Sequence, residues 1–186
     1  LTCEEEEFTY GELDKISGAV ATHLTDLGLT KGDLISVIGE KSLNFLWLYL
    51  GCLRVGCIFH PLNPAYTQSE LQFFLKDARP KLEVSSQALL EKFDGLDRKK
   101  NTKILSLDGH DGDRLFRPRV EDGKSFETVK MSGDETAALL YSSGTTGDPK
   151  GIRLTHRNLF SNASKLLDLW EFDSSDTVLH VLPVFH

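Results

Sequence analysis

Residues 137–158 read AALLYSSGTTGDPKGIRLTHRN, and the reading of this stretch decides how the rest of the chain is organised. The apolar run that ends at Tyr141 predicts a buried strand, and Gly151 to Leu154 predicts the strand after the turn. Between them, Ser142, Ser143, Gly144, Thr145, Thr146, Gly147 and Lys150 put four hydroxyls, two glycines and an ammonium into one loop. Glycine lets backbone N–H groups close on an anion, hydroxyls donate further hydrogen bonds, and lysine adds a point charge. This inventory suits a polyphosphate. The loop is nevertheless not a Walker A sequence. Counted from Gly144, the second required glycine falls on Pro149, and Gly151 follows Lys150 where Ser or Thr is needed. Nor is it a G-x-G-x-x-G fingerprint, because Gly144 and Gly147 lack a glycine two positions before. An ordinary hairpin turn draws on Ser, Thr, Gly and Asp-Pro as well, but does not need this many hydroxyls beside a lysine.

Upstream of this stretch, helical and strand patterns alternate. Thr9 and Glu12 form a T-x-x-E capping box, Leu13, Ile16, Val20, Leu24 and Leu27 recur at helical spacing, and Gly28 supplies the stop. LISVI (34–38) predicts a short buried strand. Ser42 can cap a second helix, LNFLWLYLGCLRV, that Gly56 ends. Cys57 to His60 then predicts a strand cut off by Pro61 and Pro64. Thr67 and Glu70 make a second capping box ahead of Leu71, Phe74 and Leu75, with Pro80 past the helix end. KLEVSS and KILSLD predict two more strands around a short helix at Leu89 to Phe93. Beyond the loop, Thr155 is placed to cap a helix over Leu159 to Trp170. Strands alternating with helices predict an α/β fold, a layered and mostly parallel sheet with flanking helices.

Composition narrows the function. The 186 residues carry a formal net charge of −7, which argues against a general nucleic-acid binder, because phosphate backbones need a basic surface. Cys3, Cys52 and Cys57 are too few and too irregular for a disulfide framework or a zinc knuckle, and suit a reducing, intracellular setting. Cys52 and Cys57 read as small buried hydrophobes, and Trp47 and Tyr49 as core packing. The longest apolar stretch, Leu43 to Leu53, is too short to cross a bilayer. The acidic start, with Glu4 to Glu7 as a solvated face, does not read as a basic leader. From Asp108 to Lys124 the chain turns to Asp, Gly and Arg and predicts a surface loop. Calcium is excluded there, since the fifth loop position is Gly112 or Leu115 and supplies no side-chain oxygen. Asn162-Ala163-Ser164 has a glycosylation pattern but falls on a predicted helix.

YSSGTTGDPKG resembles the phosphate-binding signature of the adenylate-forming superfamily of acyl-CoA synthetases, aryl-CoA ligases, luciferases and peptide-synthetase adenylation domains. FTYGEL, LWLYLGCLRVG, PLNPAYTQSEL and LPVFH match the same family in order, so the resemblance spans nearly the whole chain. Within the superfamily, EKSLNFLWLYLGCLRVG, PLNPAYTQSELQFFLKDARPKLEV and LHVLPVFH are most similar to malonyl-CoA synthetases, while 4-coumarate and medium-chain acyl ligases share much of the pattern.

The resemblance implies an ATP-dependent acid–CoA ligase. A carboxylate attacks the α-phosphate of ATP to give an acyl-adenylate and pyrophosphate, and the thiol of coenzyme A then displaces AMP. It implies that Ser142, Ser143, Gly144, Thr145, Thr146, Gly147 and Lys150 hold the β- and γ-phosphates and that Thr146 approaches Mg²⁺. It further implies that His186, after Phe185, lies beside the acyl-adenylate and orients the substrate carboxylate. The bare spacing also admits a solvated lysine at 150 and a core histidine at 186. His60, His156 and His180 gain no support from the resemblance. The family's later motifs, a Tyr-Gly-x-Thr-Glu stretch, a ribose-binding aspartate, a hinge and a C-terminal lysine, would follow His186. Residues 1–186 are therefore expected to be an incomplete N-terminal AMP-binding domain, inactive by itself, without the C-terminal lid domain. The implied partners are a small carboxylic acid, ATP and coenzyme A, in the cytoplasm or mitochondrion. Malonate is the first substrate reading, a medium-chain or aryl acid the second, and a non-catalytic nucleotide-binding module the third.

Overall fold

The computed structural model describes residues 1–3, 6–98, 102–108, 126–142 and 149–185. Thr2–Cys3 (β1) and Glu6–Glu7 (β2) form a small antiparallel pair at the surface. The predicted acidic face at Glu6 and Glu7 is thus an exposed strand; Glu4 and Glu5 lie outside the described residues. The main elements follow as α1 (Tyr10–Asp26), β3 (Leu34–Ile38), α2 (Leu43–Val55), β4 (Ile58–Leu62), α3 (Gln68–Ala78) and β5 (Leu82–Ser85). A 3-10 helix over Gln87–Phe93, β6 (Lys103–Ser106), β7 (Thr136–Ser142), β8 (Lys150–Thr155) and α4 (His156–Trp170) complete the chain.

The main sheet has six strands in the order β6-β5-β3-β4-β7-β8. All neighbours are parallel except β7 and β8, which form an antiparallel hairpin. Helix α1, ahead of β3, and the α2 crossover pack on one face, and the α3 and 3-10 helix crossovers on the other. Ile35, Val37, Phe59, Leu82 and Val84 pack with Val20, Leu24, Phe45, Leu48 and Cys52 on the first face. Ile38 and Leu62 meet Leu71, Phe74, Leu75 and Phe93 on the second. The strands alternate faces because successive side chains point oppositely, so one pentapeptide feeds both cores. Both faces of this layered, mostly parallel sheet are covered by helices.

Local signals set the element ends. Both predicted capping boxes form, with Glu12 accepting from the Thr9 backbone N–H at 2.8 Å and Glu70 from that of Thr67 at 2.8 Å. Ser42 accepts from the Phe45 N–H, and Gly56 ends α2 in the left-handed region at φ 80°. Thr155 caps α4 through Asn158. One predicted boundary moves. Strand β4 does not stop at His60 but runs through Pro61 to Leu62. Its pairing with β3 holds along its whole length, whereas the β7 side is in register only at Phe59 and Ala138, which leaves room there for a residue without an N–H.

Helix α4 differs from the others in having no buried residue. Phe160, Leu167, Leu169 and Trp170 are exposed on it, as are Val178, Leu179, Val181 and Leu182 in the segment that follows. Of the predicted loop from Asp108 to Lys124, only Asp108 is among the described residues.

Candidate functional site

The two ends of the hydroxyl-rich loop are brought together by the β7–β8 hairpin. Ser142 and Lys150 are a cross-strand register pair, with Tyr141 and Gly151 the pair before them. Ser142 is half-buried and Lys150 exposed, so its ammonium is free to meet an anion in solvent. Ser143, Gly144, Thr145, Thr146 and Gly147 lie outside the described residues, as does His186. The antiparallel turn-back at β8 brings the two residues that flank this stretch side by side on adjacent strands.

The hairpin mouth sits at the carboxyl end of β7, which runs parallel to β3 and β4. In open α/β sheets this is the edge where ligands bind. The segment after α4 reaches the same edge. Lys41, just past β3, donates to the His180 carbonyl oxygen at 2.7 Å, and Val184 packs against the first core. Ser142, Lys150 and the segment from His180 to Val184 thus lie toward the carboxyl edge of the sheet.

Beneath the hairpin lies a polar group that sequence reasoning passed over. His60 on β4 is completely buried, and its Nδ1 is 2.8 Å from the Ser36 hydroxyl on β3. Burial pushes its pKa down to about 4, with the Asp77 carboxylate acting weakly the other way. The imidazole is therefore neutral at pH 7, and its Nε2 has no hydrogen-bond partner among the described residues. The ring leans on Tyr141, with centroids 5.4 Å apart. Tyr141 also packs on Phe74 at 4.8 Å, and its hydroxyl donates to the Asp77 carboxylate at 2.5 Å. Burial and the Asp77 carboxylate both push the Tyr141 phenol well above its usual range. A histidine beside Pro61 inside an otherwise apolar strand was the sequence signal for this group. Ser36, His60 and Asp77 do not form a catalytic triad, because the Ser36 hydroxyl is buried and Asp77 bonds Tyr141.

Cys52 and Cys57 are buried free thiols, and burial raises the pKa of both, Cys57 to about 12. They are core residues, as predicted, and too weakly acidic to act as nucleophiles. Trp47 is likewise buried, edge-on to Phe8. Among the described residues no cluster of His, Cys, Asp and Glu is arranged to hold a metal, and no helix is long and apolar enough to cross a membrane.

The mostly parallel sheet with helices on both faces has the architecture of the N-terminal domain of adenylate-forming enzymes. The model of the AMP-binding enzyme family matches residues 1–186, and the chain belongs to that family. It is 34% identical over 189 residues to 4-coumarate–CoA ligase 3 of Arabidopsis thaliana, covering 96% of this chain and 33% of that protein. ATP-bound MatB from Rhodopseudomonas palustris superposes with a TM-score of 0.84 and 38% identity, over 97% of this chain and 36% of that one. The long-chain-fatty-acid–CoA ligase FadD1 from Archaeoglobus fulgidus gives a TM-score of 0.85 at 28% identity, over 98% and 38% of the two chains. The chain spans about a third of the length of the curated relatives it matches.

Proposed function

We propose that this chain is the nucleotide-gripping portion of an ATP-dependent acid–CoA ligase. The observation that carries the reading is the pairing of Ser142 with Lys150 across the β7–β8 hairpin at the carboxyl edge of the sheet. Adenylation brings an anionic carboxylate up to an anionic phosphate, so the main demand on the protein is fixed positive charge and hydrogen-bond donors around the triphosphate. Lys150 supplies the charge. The hydroxyls of Ser142, Ser143, Thr145 and Thr146 and the backbone at Gly144 and Gly147 supply the donors. Mg²⁺, approached by Thr146, would neutralise further phosphate charge when bound. His186, at the end of the segment tied to Lys41, orients the incoming carboxylate. Coenzyme A is the acceptor in the second half-reaction.

Malonate is the acid we propose, on the likeness of residues 40–56, 61–84 and 179–186 to malonyl-CoA synthetases. Identities of 31–34% to 4-coumarate–CoA ligases favour an aryl acid as the second reading. In this proposal residues 1–186 are the first part of a larger AMP-binding domain, and the lid domain belongs to the remainder. The one-third span of the relatives and the uncovered apolar side of α4 support this. The three free thiols fit a cytoplasmic or mitochondrial location. Pyrophosphate exchange by the longer protein, with malonate, octanoate and coumarate compared, tests the reading. Exchange dependent on malonate supports it, exchange with coumarate alone selects the second reading, and no exchange with any carboxylate refutes both.

A further inference from the structure

We propose that Asp77 and Tyr141 act together as a positioning latch, fixing the loop-bearing half of the β7–β8 hairpin against helix α3. The proposal rests on the assignment of that loop to the nucleotide.

Strand β7 is registered to its parallel neighbour β4 only at Ala138, opposite Phe59. From Leu139 to Ser142 its ladder partner is β8 alone. By that register Leu62, the last residue of β4, lies level with Tyr141, so the loop-bearing half of the hairpin runs alongside β4 without ladder bonds to it. Two-stranded ribbons are weakly stable by themselves, so a hairpin half with no third ladder partner gains from a side-chain anchor. Among the described residues, one side-chain hydrogen bond links Leu139–Ser142 or Lys150–Arg153 to an element outside the hairpin. It runs from the Tyr141 hydroxyl to the Asp77 carboxylate.

Three further observations point to anchoring. The Tyr141 ring is wedged against Phe74 and Phe73 of α3 and against the buried His60 ring. On its other flank lies Gly151, where an added Cβ would stand 3.5 Å from the Tyr141 ring, so the strand opposite gives the ring its space. Asp77 sits in the last turn of α3, where the helix dipole disfavours a carboxylate. Helix stability therefore gives no reason for an acid there, whereas the Tyr141 hydroxyl does. Tyr141 directly precedes Ser142, the first residue of the loop, so a ring held on α3 sets where the loop begins. Because Ser142 pairs with Lys150, it sets where the lysine ends as well.

Hydrogen–deuterium exchange on the 186-residue chain tests the latch through Tyr141→Phe, Asp77→Asn and the double variant. Tyr141→Phe keeps the ring packing and removes only the hydroxyl. Loss of one hydrogen bond to a carboxylate should speed exchange in peptides covering 139–142 and 150–153 about three- to tenfold in either single variant. The double variant should be no faster than the singles, and β3 and β5 should keep their protection. Unchanged hairpin protection, additive loss in the double variant, or loss spread through the sheet would each overturn the latch. In the longer ligase, Tyr141→Phe should raise KM for ATP several-fold while leaving kcat at saturating ATP and KM for the acid unchanged. Lys150→Ala serves as the reference for the loop. If Lys150→Ala leaves ATP kinetics untouched, the loop assignment fails and the exchange result still judges the latch. If Lys150→Ala impairs ATP use and Tyr141→Phe does not, the latch has no positioning role.

Discussion

His60 and Ser36, on neighbouring parallel strands, share a buried hydrogen bond of 2.8 Å between the imidazole Nδ1 and the hydroxyl. Desolvation holds the folded histidine at about 4, against 6.5 for the ordinary side chain. Below about pH 6.5 the unfolded chain binds a proton that the folded chain refuses, so stability is full above that pH and declines as pH falls toward 4. From pH 7 to pH 4.5 this single group should cost about 2.5 kcal/mol. Urea midpoints measured across that range in wild type and in His60→Asn check it, since the substitution should flatten the slope. Equal slopes would mean that the folded imidazole takes up its proton over the same pH range as the unfolded chain.

A second buried polar pair makes a different prediction. Arg98 Nη1 lies 2.6 Å from Glu83 Oε2, and the Glu83 side chain is only 2% exposed on the inner strand β5. Burial raises the Glu83 pKa, and the guanidinium offsets part of that shift. Arg98→Ala should therefore destabilise the chain by about 3 kcal/mol at neutral pH, because it strands an ionised carboxylate. The loss should shrink in acid as Glu83 takes up a proton, and Glu83→Gln should restore much of it in the double variant. Thermal midpoints at pH 7 and pH 5 would expose an error in this assignment if Arg98→Ala cost the same at both.

The α1–α2 contact is set by one glycine. A Cβ on Gly51 would stand 2.6 Å from Val20 Cγ1 and 3.0 Å from Val20 Cβ, with the Ala21 backbone nitrogen 3.4 Å away. Val20 is itself fully buried and β-branched, so it cannot swing aside. Gly51→Ala should destabilise by about 2 kcal/mol despite the better helix propensity of alanine. Gly51→Ala combined with Val20→Ala should recover part of the loss, and a denaturation curve for each variant decides the point.

Lys150 is exposed, so its removal should leave folding intact. On the proposed function, Lys150→Ala in the longer protein should slow adenylation roughly tenfold or more by withdrawing a fixed charge from the triphosphate. Single-turnover formation of acyl-adenylate measures this directly. Wild-type rates in the variant would remove Lys150 from the site.

Much of the fold was legible because local signals agreed with the tertiary outcome. Thr9, Ser42, Thr67 and Thr155 each begin a helix, and Gly56 ends one, through contacts within a few residues. Pro61 misled for the opposite reason. Whether a proline can continue a strand depends on the neighbouring strand, which the local sequence does not contain. The same holds for the site. Ser142 and Lys150 announce themselves by composition, whereas His60, Tyr141 and Asp77 meet only after α3 folds over β4 and β7. A histidine in an apolar strand looks like any core residue until its neighbours are known.

The stripe on α4 sets how this polypeptide behaves in water. With Phe160, Leu167 and Trp170 left 53–76% exposed, ordered hydration rather than protein atoms coats one whole side of a helix. Releasing that water is worth about 25 cal/mol for each Å² shielded, and the gain grows on warming toward body temperature. Solubility of the 186-residue chain should therefore fall with heat while its secondary structure persists, the net charge of −7 notwithstanding.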